Sequence, residues 1–119
     1  MKGFRRIALV EKFGRDFLHY RVSLVKFLEK GYETFAIVPE DEYTNKLLKE
    51  MGLRTLTYPL KKNSLNPLYF LKAIRKLREI KRIYNISLFH SFKLQPSVIT
   101  NLAFIFNREI KIINHITGL

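Results

Sequence analysis

Three histidines, His19, His90 and His115, are the side chains of this 119-residue sequence whose ordinary ionisation lies near neutral pH, so proton-transfer chemistry starts with them. His19 stands in His19-Tyr20-Arg21, where the Arg21 guanidinium could take a phosphate or carboxylate through two parallel bonds. His90 opens His90-Ser91-Phe92-Lys93-Leu94-Gln95-Pro96, in which Lys93 offers a point charge to an anion, and His115 follows the last apolar run. Gly14, within Glu11-Lys12-Phe13-Gly14-Arg15-Asp16, leaves backbone N–H groups accessible to a phosphate. One glycine falls well short of the G-x-G-x-x-G dinucleotide fingerprint. An ordinary turn, a solvated helix face and a structural histidine explain the same residues, and no residue is singled out as catalytic. The chain has no Cys, which excludes disulfides, thiolate metal sites and Cys nucleophiles. Three scattered histidines with no carboxylate beside them make no metal set, so neither metal nor cofactor is expected.

Charge is the largest global signal. With 22 Lys and Arg against 10 Asp and Glu the formal charge is +12, which favours anionic partners such as lipid headgroups, diphosphates or nucleic acid. Eight of the positives fall between positions 61 and 82 against Glu79 alone. Lys72, Arg75, Lys76, Arg78, Lys81 and Arg82 would line the outer face of a helix there, and each basic residue near an anionic bilayer contributes about 1 kcal/mol. A solvated face is the alternative. The loop Lys61-Lys62-Asn63-Ser64 poses the same choice between phosphate or lipid contact and a solvated turn. Nucleic acid is not expected, because no recognition-helix pair, RNA-binding aromatic motif or zinc site accompanies the charge. No run reaches the roughly 18 apolar residues of a spanning helix. The basic start leads into an apolar run of four residues closed by Glu11 and Lys12, too short for a signal-peptide core. A cytoplasmic protein, peripheral at the inner face of the cytoplasmic membrane, is the expectation.

The elements that must position these residues are legible as two alternating patterns. Short apolar runs at 7–10, 34–38, 55–58, 88–91 and 110–113 predict five strands. Between them, helical spacing predicts helices over 17–30, 41–51, from Asn66-Pro67 through Tyr84, and from about Pro96 to Phe106. Gly31 is expected as a left-handed cap of the first helix, Gly52 closes the second, and Pro67 suits the first turn of the third. The fourth is apolar nearly all round, which predicts deep burial or a partner surface along 98–106. The β-α-β-α-β-α-β-α-β order implies an α/β fold, a doubly wound, Rossmann-like parallel sheet of five strands with flanking helices. Ligands of such sheets bind beyond the strand C-termini, where Gly14, His19, Arg21, His90, Lys93 and His115 all cluster in sequence.

Three blocks in register carry a family resemblance: Ile37-Val38-Pro39-Glu40-Asp41-Glu42-Tyr43-Thr44, then Leu47 through Met51-Gly52-Leu53, then Leu65-Asn66-Pro67. Together with Phe17-Leu18-His19-Tyr20-Arg21 and the ending Ile116-Thr117-Gly118-Leu119, they resemble the N-terminal domain of family-four GT-B glycosyltransferases, particularly those that extend lipid-linked sugars in bacterial glycan pathways. Where that family often carries Lys-Pro-Asn after the fourth strand, this chain has Gln95-Pro96-Ser97. The resemblance implies a retaining hexosyltransferase reaction, from a nucleoside-diphosphate sugar to a lipid-diphosphate-linked saccharide. It also implies that residues 1–119 form part of an acceptor-side domain, that the donor-binding C-terminal domain is absent, and that the chain alone is inactive. A non-catalytic basic module that binds an anionic membrane or a partner protein is the rival expectation.

Overall fold

The computed structural model describes residues 6–13, 17, 21–40, 42–59, 67–107 and 110–115, with the backbone alone of residues 23 and 42–44. Its elements follow the order β1 (Arg6–Val10), α1 (Val22–Leu28), β2 (Glu33–Pro39), α2 (Glu42–Glu50), β3 (Arg54–Tyr58), α3 (Pro67–Tyr84), β4 (Leu88–Phe92), α4 (Leu94–Ala103) and β5 (Lys111–His115). All strand pairs are parallel, in the order β3-β2-β1-β4-β5. This is the doubly wound sheet that the alternation of patterns predicts.

The strand runs are apolar throughout because both faces are covered. Along β1, Ile7 and Leu9 turn to one side, where they pack with Val25 of α1 and Leu48 of α2. Ala8 and Val10 turn to the other, against Ala73, Leu77 and Ile80 of α3 and Ile99 of α4. Leu9, Leu48, Leu77 and Ile99 are wholly buried, and each such side chain contributes about 1.5–3 kcal/mol relative to exposure. The sheet order reverses between β1 and β4, the position at which open α/β sheets place their ligands. Leu9 is in register with His90 and Val10 with Ser91, so the ends of these two strands lie side by side there.

Several expected boundaries move. Gly31 does not adopt the left-handed backbone of a helix cap: α1 ends at Glu29 with φ −63°, and the turn closes through Gly31 and Tyr32 N–H donors to the Leu28 carbonyl. Gly52, at φ 85°, is in the left-handed region. Among the described residues the first α-helix runs over Val22–Leu28, with Phe17 and Arg21 in the wider turns of a π-helix ahead of it and an end two residues short of the expected 30; α4 starts at Leu94, two residues ahead of Pro96, and ends at Ala103, and β5 lies at Lys111–His115. Ile110 therefore precedes the strand and fills the core instead. Pro67 does open α3; the Asn66 cap and the loop at 61–64 lie outside the described residues.

At the strand N-termini, charge knits the fold. Glu33 accepts from Arg6 Nε at 2.7 Å and pairs with Arg54 Nε at 3.2 Å, while Arg6 also donates to the Tyr84 carbonyl. The opposite end of the sheet holds a different kind of pair.

Candidate functional site

At the carboxyl end of β1 the chain turns at Glu11, whose side chain is wholly buried. Its carboxylate accepts from the Lys12 backbone N–H at 3.0 Å and from Arg21 Nε at 3.0 Å. The buried Tyr58 hydroxyl, at the end of β3, donates to the Glu11 carbonyl oxygen at 2.9 Å. Arg21, the residue that precedes α1, lays its guanidinium 3.8 Å over the ring of Phe92, the last residue of β4. One arginine thus joins the exits of β1 and β4 across the point where strand order reverses.

Burial raises the Glu11 carboxyl pKa, because desolvation of the charged form outweighs the hydrogen bond from Lys12 and the attraction of Arg21 and Lys93. Burial likewise pushes the Tyr58 hydroxyl well above its usual range, with the Glu11 charge adding to the effect. A buried ion pair of this kind is a costly arrangement whose members destabilise each other's surroundings when one is removed.

The histidines stand beside it. His90 stacks on Phe92 at 4.3 Å between centroids, and His115 lies 6.2 Å from His90 and 5.7 Å from Phe92. Desolvation lowers the His90 pKa, with the His115 and Arg21 charges pushing the same way, which favours the neutral ring. Its Nε2 is buried without a hydrogen-bond partner among the described residues. His90 lies in the middle of β4 and His115 is the last residue of β5, so both belong to strands rather than to the exit loops that their sequence positions suggest. They meet because alternation puts His90, Phe92, Ile113 and His115 on one sheet face, with Phe92 in register with His115.

Lys93 links β4 to α4 with φ 74° and ψ 166°, a region that is nearly restricted to glycine. Its N–H donates to the His115 carbonyl at 2.8 Å and its carbonyl accepts from Ser97 N–H at 3.2 Å, which hold it in that conformation. Of the six residues singled out from the sequence, four (Arg21, His90, Lys93 and His115) converge here, whereas Gly14 and His19 lie outside the described residues. Glu11 and Phe92 were not singled out. On the reverse face of β4 and β5 a polar chain runs from Ser97 Oγ to Ser91 Oγ (2.9 Å), on to Asn114 Oδ1 (2.9 Å), which accepts from Asn101 Nδ2 (2.8 Å).

The basic helix is more divided than its sequence implies. Lys72, Arg75, Lys76, Arg78 and Arg82 line an open groove on α3 with Pro59 and Glu79, and Lys81 is half-buried. Arg78 Nε donates to the Ala103 carbonyl at 2.8 Å, where α4 ends, and Lys76 Nζ lies 3.4 Å from Glu79. Leu68 and Leu71 are exposed near the start of the same helix. Among the described residues no helix is long and apolar enough to cross a membrane.

No family model matches the chain. It is 34% identical over 87 residues to the N,N'-diacetylbacillosaminyl-diphospho-undecaprenol alpha-1,3-N-acetylgalactosaminyltransferase of Campylobacter jejuni; the match takes in 72% of this chain and 23% of that relative. In fold it is similar to MurG of Acinetobacter baumannii, with a TM-score of 0.73 at 14% identity over 97% of this chain and 37% of the other. It also resembles a glycosyltransferase of Rickettsia africae, with a TM-score of 0.75 at 19% identity over 95% of this chain and 30% of the other. The chain therefore spans about a quarter to a third of the length of the proteins it matches. The chain is thus related in sequence to part of a glycosyltransferase, and its fold is the Rossmann-like domain of GT-B type structures.

Proposed function

We propose that this domain is the acceptor-side wall of a glycosyltransferase that moves a sugar from a nucleoside-diphosphate donor to a lipid-linked saccharide, with retention at the transferred carbon. The observation that carries the reading is the convergence of Arg21, Lys93, His90 and His115 at the reversal of strand order, where two cationic groups and two imidazoles surround the exits of β1, β4 and β5. Such a set suits a ligand with phosphate charge and hydroxyl groups: the cations take the phosphates, and neutral His90 can exchange hydrogen bonds with a sugar hydroxyl. The relative from Campylobacter jejuni, whose name specifies a diphospho-undecaprenol-linked acceptor, supports the same substrate class. A donor-binding domain is required for turnover, since the crevice is one wall of a cleft.

The test is transfer from a radiolabelled nucleotide sugar to a diphosphate-linked saccharide by the purified chain, alone and mixed with a separately produced donor-binding domain of a related enzyme. Product from the mixture only is expected. Turnover by the chain alone would overturn the requirement for a second domain, and failure of the saccharide to bind the chain at all would overturn the acceptor-side reading.

A second reading concerns location. The exposed Leu68 and Leu71, followed on the same outer stripe by Arg75 and Arg82, suit a helix lying on an anionic bilayer, the cytoplasmic face of the membrane in this case. Flotation with vesicles containing anionic lipid should depend on Lys72, Arg75 and Arg82. Charge reversal at those three positions without loss of flotation would remove this reading. Arg78 is unsuited to the experiment because it holds the end of α4.

A further inference from the structure

We infer that Glu11 is a positioning residue that holds Arg21 against Phe92, so that the Nη edge of its guanidinium forms a ready-made fork for one phosphate of a diphosphate. The inference rests on the acceptor-side reading for its ligand class and on three observations for its geometry.

First, Glu11 takes Nε. An arginine has two bidentate edges, one through Nε and one Nη, the other through both Nη atoms. Among the described residues the hydrogen bond of Arg21 runs from Nε to Glu11 Oε2, which spends the first edge and leaves the second for an incoming oxyanion. Second, Phe92 takes a face of the guanidinium at 3.8 Å, and the ring is itself fixed by burial among Leu9, Val25 and Val38. One edge and one face held together leave the plane little freedom, and that freedom is what binding would otherwise remove. Third, Lys93 lies near enough to Glu11 to lower its carboxyl pKa, on a backbone conformation proper to glycine. Its side chain supplies the second cation that a diphosphate needs.

The carboxylate also explains how a guanidinium sits at 18% side-chain exposure: Glu11 compensates its charge through Nε. Glu11 touches no ligand in this arrangement and acts through Arg21.

The experiment is a titration of the folded chain with inorganic pyrophosphate, followed by the NMR signals of the Arg21 guanidinium and of the His90 and His115 rings. Wild type is expected to show Arg21 side-chain protons shifted by the Phe92 ring, and saturable changes at Arg21. Glu11→Gln, which still accepts a hydrogen bond, should keep the ring shift and bind within about threefold of wild type. Glu11→Leu should lose the ring shift and bind at least about tenfold more weakly, the loss expected for one charge-assisted hydrogen bond. Should Glu11→Leu fail to fold, Arg21→Lys serves instead: it keeps the charge but has no fork, and the same weakening is expected. A ring shift and affinity unchanged in Glu11→Leu, pyrophosphate binding unchanged in Arg21→Lys, or no binding to wild type would each overturn the inference. Parallel titrations with uridine diphosphate and a short prenyl diphosphate distinguish a donor from an acceptor source. Tighter binding of the prenyl compound joins the receptor to the acceptor-side reading. Preference for uridine diphosphate would overturn that reading while leaving the Glu11–Arg21 receptor standing.

Discussion

At the residue scale, the crevice is made of groups whose local cost is offset by neighbours. Lys93 is the clearest case: a β-carbon at φ 74° and ψ 166° costs about 1–3 kcal/mol, and the bonds to His115 and Ser97 enforce it. Comparing Lys93→Gly with Lys93→Ala isolates that cost, since neither variant has the lysine side chain. The glycine variant should be about 1 kcal/mol more stable in urea unfolding, part of the relief being offset by the greater backbone entropy of glycine. Equal stabilities would mean the conformation is relaxed. His90 gives a pH signature. Its folded pKa is depressed by burial and by the charges of His115 and Arg21, so the unfolded chain binds the proton more readily in the window below about 6.5. Stability associated with His90 is therefore present above that value and lost as pH falls through the depressed folded pKa. Replacing His90 by Phe should reduce the loss of stability between pH 7 and 5, read from unfolding midpoints, and a steeper loss in the variant would contradict the assignment. Arg21, His90, Lys93 and His115 were legible as candidates because their residue types are rare and their spacing follows the strands. Glu11 was not, since a charge that ends an apolar run looks solvated until the fold buries it from three sides. Phe92 was hidden for the opposite reason, as an aromatic in a core-like run.

At the scale of elements, the pattern of apolar runs was enough to order the strands and helices of the described residues, because a parallel sheet covered on both faces requires continuous burial and helices between strands require a stripe. Boundaries were less legible where tertiary contacts decide them. β5 begins after Ile110 because Ile110 is needed in the core beneath α3 and α4, and no local signal distinguishes it from the residues that follow. Gly31 shows that a glycine near a helix end need not be left-handed, whereas Asn85, with φ 54°, makes the turn after α3 without one. The basic helix separates into residues that hold the fold and residues that face outward, a division that charge counting cannot see. Arg78→Ala removes the bond to the Ala103 carbonyl and should destabilise by about 1–2 kcal/mol. Arg75→Ala, on the exposed stripe, should stay within about 0.5 kcal/mol of wild type. Chemical denaturation of the two variants decides the matter, and equal effects would deny Arg78 its role at the end of α4.

On the scale of the whole molecule, the described helices cover the sheet unevenly. α1 and α2 pack against β1 and β2, while β5 is an edge strand whose Ile113 is 47% exposed on the face that carries His90 and His115. On the opposite face, α4 turns an apolar stripe outward: Leu94, Val98 and Leu102 at four-residue spacing, continued by Ile105 and by Phe106, which is 90% exposed. The sequence pattern anticipates this surface, since a helix apolar all round has more to bury than one sheet can cover. In a right-handed parallel fold, a further helix–strand unit added beyond β5 would lie against this stripe and pair with this edge. Without such a neighbour the patch is a liability of the kind that promotes association. The chain studied alone should therefore self-associate as concentration rises, which sedimentation velocity can follow. Leu102→Lys combined with Phe106→Ser should suppress that association without lowering the unfolding midpoint, because both side chains lie outside the core clusters. A wild-type chain that stays monomeric at high concentration would show that the exposed stripe is too narrow or too divided by Asn101 to hold a partner. Association unchanged in the double variant would move the contact to the β5 edge, where Ile113→Lys becomes the deciding substitution.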